Sequence, residues 1–236
     1  MTKIPKVIHY VWFGRGKKSP GFIKYLESWK KYCPDYEIKE WNEDNFDINQ
    51  NRYLKTFYDK RLWAFASDFA RVKILFENGG IYLDTDIELL KSFDELLENE
   101  AFLGYQDVFS IGCSVMGAKK GDHILKEILE IYETKKIRTV LPNLLTRVFK
   151  KHSKPRYNSQ IQKIQNYTIY PKEYFYPYAY YEKKANMTIT KDTYAIHLFE
   201  ASWLPKIVTS ISFPIIGYIA RIITKKETLK KYNITR

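Results

Sequence analysis

A chain of 236 residues, 45% hydrophobic and 17% aromatic, carries enough apolar material for a full core, and its 28% charged content without low-complexity tracts excludes a disordered protein. Two cysteines, Cys33 and Cys113, exclude a disulfide framework and a thiolate metal site and suit a reducing cytoplasm. The net charge of +12 calls for an anionic partner, yet the basic residues follow no nucleic-acid-binding motif, so no nucleic-acid partner is expected.

The chain opens Met1-Thr-Lys-Ile-Pro and runs into a strand, Val7 to Trp12, an arrangement expected to leave no room for a signal peptide or an N-terminal membrane anchor. Helix Phe22 to Tyr32, strand Tyr36 to Trp41, helical stretches as far as Asn78 and strand Ile81 to Leu83 follow. This βαβ alternation predicts an α/β fold with a parallel, Rossmann-like sheet. Residues 101 to 117 are strand-rich, Asp122 to Thr134 reads as a helix with Ile124, Leu125, Ile128, Leu129 and Ile131 inward, and Pro142 to Lys151 as another. From Pro155 to Thr193 the Tyr- and Lys-rich composition, with Pro171 and Pro177, predicts irregular strands and loops.

The last stretch differs in kind. Ile215, Ile216, Ile219, Ile222 and Ile223 fall on one helical face, and Lys225, Lys226, Lys230, Lys231 and Arg236 follow at once. An apolar stripe with a basic flank is the pattern of a helix lying on anionic lipid, too short and interrupted to span a bilayer. The competing reading is a helix packed on the protein's own core with a solvated tail. The expected organisation is one catalytic domain, 1–205, and a basic amphipathic segment, 206–236, placing the protein peripherally on the inner face of the plasma membrane.

Chemistry concentrates between Asp68 and Asp86. A helix from Ala64 to Asn78 puts Asp68 and Arg71 one turn apart on one face, with Phe65, Phe69, Val72 and Phe76 as the opposite, apolar stripe. Gly79 and Gly80 end the helix, and the short strand after them delivers Asp84 and Asp86 to its carboxyl end, where open α/β sheets bind ligands, with Thr85 pointing the other way. Two carboxylates so spaced suit a hard divalent cation that bridges to phosphates, although solvated or capping pairs share the spacing. Asp68 and Arg71 read either as ligand-binding groups, given the fixed fork of arginine, or as a helical ion pair. Trp12 is open to base stacking or core packing, and His197 to metal ligation or a core role. His9 alternates inward and reads as structural.

Ser67-Asp68-Phe-Ala-Arg71 followed by Gly79-Gly-Ile-Tyr-Leu-Asp84-Thr-Asp86 closely resembles the DXD sugar-binding region of glycosyltransferase family 32. That group includes bacterial capsule and polysaccharide enzymes, with fungal mannosyltransferases more distant, and the large clostridial glucosylating toxins share its Trp, Asp-x-x-Arg and Asp-x-Asp elements. Ile4 to Gly14, Ser28-Trp-Lys, Pro34 to Asn42, and Thr193 to Trp203 are similar to other motifs of the family, so the resemblance covers residues 4 to about 118 and, in part, 168 to 203.

The resemblance implies a GT-A type nucleotide-sugar-binding domain with a mixed, mainly parallel central sheet. It implies a retaining, metal-dependent glycosyltransferase that moves a hexose from a UDP-sugar, UDP-galactose or UDP-glucose first, to a lipid-linked saccharide acceptor in capsular or surface polysaccharide synthesis. Asp86, Asp84 and His197 would hold Mn2+ or Mg2+; Asp84, Asp86, Asp68 and Arg71 form the catalytic set. Val11, Trp12, Ser67, Asp68, Arg71, Asp84, Thr85, Ser202 and Trp203 would bind the donor. Attack would come from the leaving-group face, with a diphosphate oxygen accepting the proton. The alternative is a noncatalytic basic membrane-surface or saccharide-binding adaptor; in a membrane-surface adaptor lipid binding would survive loss of Asp84 and Asp86, and a noncatalytic saccharide binder would need a degenerate Asp-x-Asp, whereas both carboxylates are intact.

Overall fold

Alternation along the strands decides which side of the sheet each residue serves. The computed structural model describes residues 3–134, 139–153, 157–180, 182 and 184–200. β1 (Val7–Val11), α1 (Pro20–Tyr32) and β2 (Glu37–Trp41) form the first βαβ unit, with β1 and β2 parallel along their whole length. Helices α2 (Arg52–Asp59) and α3 (Trp63–Asn78) return the chain to β3 (Gly80–Leu83), which pairs parallel to the other side of β1. Then come β4 (Ile87–Leu89), β5 (Ala101–Gly104), β6 (Val115–Ala118), α4 (His123–Thr134), α5 (Leu141–His152), β7 (Gln162–Ile164), β8 (Tyr167–Tyr170) and β9 (Ala195–His197).

The main sheet has the order β2-β1-β3-β6-β5-β8-β7. β6 and β7 run against the other strands, so the sheet is mixed and mainly parallel, as expected. β4 and β9 form a separate antiparallel ribbon whose register sets Ile87 opposite His197. On one side of the main sheet Tyr82, Leu103 and Met116 pack with Phe69, Val72 and Leu75 of α3, Ile128 of α4 and Phe149 of α5. On the other, Ile8, Ile81, Leu83 and Val115 pack with Phe22 and Trp29 of α1 and with Ile87 and Phe93. Each face thus takes alternate residues of the same strands, the period that β structure imposes.

Local signals account for the element ends. Ser19 caps α1 by accepting from the Phe22 amide at 3.0 Å, with Pro20 at the first helical position. Asp122 stands just outside α4 as its cap, with Oδ1 accepting from the Ile124 and Leu125 amides. Gly79 closes α3 at φ 70°, its amide bonded to the Leu75 carbonyl. Within the stretch expected to be irregular, β8 lies deep in the sheet beside β5. Its polar atoms find partners that composition does not reveal: the Tyr167 hydroxyl donates to Asp122 and Thr168 to Asn99.

Candidate active site

β3 ends at Leu83, and Asp84 is fixed immediately beyond it by its amide, which donates to the Ser114 carbonyl at 2.9 Å. The Ile87 amide donates to the Asp84 carbonyl at 3.2 Å, closing a tight turn through half-buried Thr85 and Asp86. The β4–β9 ribbon then returns the far end of the chain to this turn. The Leu198 amide donates to the Asp86 carbonyl and the Glu200 amide to Asp86 Oδ2, each at 3.0 Å, while His197 Nε2 lies 3.2 Å from Asp86 Oδ1. Asp84, Asp86 and His197 therefore converge, each offering one ligand atom within 4.8 Å of the others.

Arg71 joins α3 to this cluster. Its Nη1 lies 3.0 Å from Asp84 Oδ1 and donates to the Cys113 carbonyl at 2.9 Å, and its Nε donates to the Ser67 carbonyl at 3.3 Å. The guanidinium sits 4.7 Å from the ring centre of Tyr82, whose hydroxyl donates to Asp84 at 3.2 Å. Asp68 is 3.5 Å from Arg71 Nη2, and its Oδ2 accepts from the Leu141 amide at 3.0 Å, where α5 begins. The expected division of α3 into a polar face and an opposite apolar stripe is corrected here. Asp68 and Arg71 are themselves buried, whereas Phe65 and Phe76 are only partly so, because α3 is enclosed by α2, α4 and the sheet together. Nor is Asp68–Arg71 an exposed helical ion pair: the shorter contact of Arg71 is to Asp84.

The protonation states follow from these contacts. Burial pushes the Asp68 carboxyl up to about 6, against the opposing pull of Arg71 and the Leu141 amide. Burial would also raise Asp86, but His197 and the Glu200 amide outweigh it and hold that carboxyl below its usual range. Arg71 is buried yet kept charged by Asp84 and its other neighbours. His197 packs against Phe199 at 4.0 Å and edge-on to Tyr176, so its ring is fixed, with Nε2 toward Asp86 and 3.5 Å from Ser114 Oγ. Its Nδ1 is buried without a hydrogen-bond partner among the described residues. Two carboxylates and an imidazole nitrogen form a donor set that manganese or magnesium accepts, and the arrangement fits such an ion.

β1 and β3 are parallel neighbours, so Val11 and Trp12 emerge at the same sheet edge as Asp84. Val11 is buried, and the Trp12 amide extends the β1–β2 pairing through the Trp41 carbonyl. The half-buried Trp12 indole is stacked on Phe22 at 5.4 Å and donates to the Gly16 carbonyl at 2.9 Å. His9 is structural, as read: it accepts from the Trp41 indole on Nδ1 and contacts the Gly79 carbonyl through Nε2. Ser202, Trp203 and the segment 206–236 lie outside the described residues. Sequence reasoning missed Tyr82, Cys113, Ser114 and Glu200. Strand alternation placed Tyr82 and Asp84 on one face and could have found the first; the others act chiefly through the backbone, with Cys113 Sγ also 3.3 Å from Arg71 and Ser114 Oγ near His197, and backbone contacts leave no residue-type signal.

Two family models match the chain. The glycosyltransferase sugar-binding region containing the DXD motif covers residues 19–103, and an alpha 1,4-glycosyltransferase conserved region covers 118–221, including a stretch left unclaimed by the sequence reading. Most of the chain is thus similar to conserved regions of glycosyltransferases, the DXD sugar-binding region foremost. Among curated proteins, it is 31% identical over 137 residues to inositol phosphoceramide mannosyltransferase 3 of Schizosaccharomyces pombe, a match covering 53% of this chain and 36% of that protein. It is 27% identical over 155 residues to lactosylceramide 4-alpha-galactosyltransferase of Homo sapiens, covering 60% and 43%. The chain thus spans less than half the length of these curated relatives. Its fold is shared with the solved PaToxG glycosyltransferase at a TM-score of 0.52 and 19% identity, over 64% of this chain and 69% of that one, and is of the GT-A type.

Proposed function

We propose that this chain transfers a hexose from a UDP-sugar to a saccharide acceptor, with retention of configuration and dependence on a divalent cation. The observation that carries the reading is the convergence of Asp84, Asp86 and His197 within 4.8 Å at the carboxyl end of β3, with Arg71 alongside. These three side chains would hold manganese or magnesium, which when bound supplies positive charge against the departing diphosphate. Arg71, fixed by Asp84, Cys113 and Ser67, adds a guanidinium that need not reorganise as the negative charge develops. Asp68 has Oδ2 committed to Leu141 and Oδ1 beside Arg71 Nη2 at 3.5 Å, and would take a donor hydroxyl on Oδ1 together with that guanidinium. Val11 and Trp12 would take the base, Ser67 and Thr85 would line the donor, and Ser202 and Trp203 would reach its phosphates.

The two curated relatives are named for glycolipid acceptors, an inositol phosphoceramide and a lactosylceramide, which supports a lipid-linked saccharide here. Surface polysaccharide synthesis on the cytoplasmic face of a membrane, with the segment 206–236 on anionic lipid, fits that acceptor and the charge of +12. Calorimetry with UDP-galactose, UDP-glucose, a UDP-N-acetylhexosamine, GDP-mannose and bare UDP, with and without manganese, tests the reading. One UDP-sugar should bind wild type only with the ion and fail to bind Asp84→Ala/Asp86→Ala. Folded wild-type protein that binds no nucleotide would instead support a noncatalytic adaptor.

A further inference from the structure

A cleft of about 650 Å³ opens between the loop 106–110 and the face of α5 that runs from Pro142 to Lys150. Three connections tie its walls to the site. α5 begins at the Leu141 amide held by Asp68. The loop leads into Cys113 and Ser114, whose carbonyls hold Arg71 and the Asp84 amide. On a third wall Tyr180 lies 6.3 Å from Phe199, which packs on His197 at 4.0 Å. None of the lining residues belongs to the donor machinery assigned above, so the cleft is distinct from that machinery while sharing its supporting segments.

Its chemistry is specific. Asn143, Arg147 and Lys150 recur at helical spacing and share one face of α5. Arg147 and Lys150 are exposed, and neither meets a carboxylate among the described residues, whereas the adjacent Lys151 pairs with Glu127 at 2.8 Å. The lining carboxylate, Asp107, is buried and has its Oδ1 committed to the Phe109 and Ser110 amides and the Ser110 hydroxyl. Two uncompensated cations therefore face solvent at the cleft, and the exposed side chains of Phe109 and Val140 give it an apolar rim. A ligand matching both features carries an anionic oxygen group and an apolar portion.

We propose that this cleft is the acceptor subsite and that it takes a saccharide bearing a phosphate group, with the phosphate on Arg147 and Lys150 and the sugar against Phe109 and Tyr180. The proposal rests on the nucleotide-sugar transferase reading of the neighbouring cluster. The phosphate could belong to a soluble sugar phosphate or to a lipid-linked one, and the apolar rim favours the latter.

The test titrates the full chain, loaded with UDP and manganese, with galactose 1-phosphate, decyl galactoside and the decyl phosphodiester of galactose, reading affinity by calorimetry and UDP affinity on the same samples. The phosphodiester should bind most tightly. Arg147→Glu/Lys150→Glu should weaken it by roughly tenfold or more, with decyl galactoside and UDP little changed. Arg147→Gln/Lys150→Gln should give a smaller loss in the same direction, which guards against misfolding of the charge-reversed protein. Equal affinity for galactose 1-phosphate and the phosphodiester would support a soluble phosphate source. Phosphodiester affinity unaltered in both double variants, or no phosphate-dependent binding at all, with UDP bound normally, would overturn the acceptor assignment. Failure of wild type to bind UDP would instead remove the transferase reading on which it rests.

Discussion

Arg71 is the side chain on which the charge balance of the site turns. It lies among Asp84, Asp68, the Cys113 carbonyl and the Tyr82 ring, and its side chain is 5% exposed, so removing it leaves two carboxylates without their buried counter-charge. Arg71→Met should lower stability by about 3–5 kcal/mol in urea titration, and adding Asp68→Asn should restore part of the loss. Arg71→Met at wild-type stability would mean that solvent, not arginine, compensates Asp84. His9 makes a pH prediction. Burial, against the opposing pull of the Gly79 carbonyl, lowers its pKa to about 4, from the ordinary value of 6.5. Between those values the unfolded state binds the extra proton, so the stability contributed by neutral His9 is complete above about 6.5 and is lost as pH falls toward 4. An NMR titration of the His9 ring should find a midpoint near 4; one near 6.5 would contradict its buried, neutral state. Asp68 has the opposite sign: its raised pKa makes ionisation unfavourable to folding, a penalty that fades as pH falls below about 6. At this scale the Asp-x-Asp pair and His197 were legible because each is a chemically distinctive side chain. The Ser114 carbonyl, the Leu141 amide and the Glu200 amide were not, because every residue carries a backbone carbonyl and every residue but proline an amide N–H, and only tertiary structure aims them.

Among the elements, the α3–β3 junction sets the position of the carboxylates. Gly80 sits at φ 101°, and a Cβ there would meet the Val7 carbonyl at 2.8 Å and His9 Nε2 at 2.9 Å. Gly80→Ala should cost about 1–3 kcal/mol and lower donor affinity as well, because β3 would have to shift against β1 and carry Asp84 with it. Unchanged melting and unchanged UDP binding would show that the junction relaxes freely. The glycine pair was legible as a helix stop, and the hydrophobic period gave α4 and α5 nearly whole. The β4–β9 ribbon is a different case. Each strand has three residues, and the partners are about a hundred positions apart in sequence, so no local pattern announces the pairing that brings His197 to Asp86. The burial of α3 on several sides was hidden for a related reason: periodicity reveals one apolar face well, but not a helix enclosed by neighbours whose polar residues find partners inside.

For the molecule as a whole, the βαβ rhythm of the first half was enough to predict a mainly parallel sheet with its ligand edge at the strand ends. The strand order through β6, β5 and β8 lay beyond it, since antiparallel insertion depends on long-range pairing. The charge of +12 and the apolar-basic pattern from Pro214 onward make a whole-chain prediction. The full chain should co-sediment with anionic vesicles at low salt and much less with neutral ones, and deletion of 206–236 should abolish the difference. Equal sedimentation after deletion would move lipid binding to the domain surface. The central claim, that Asp84, Asp86 and His197 form one cation site serving a nucleotide-sugar, is tested most directly by electron paramagnetic resonance of manganese titrated into the chain with UDP. Wild type should sequester roughly one ion per chain, and Asp86→Ala and His197→Ala should each weaken that binding by about tenfold or more while remaining folded. Wild-type manganese affinity in both folded variants would contradict it.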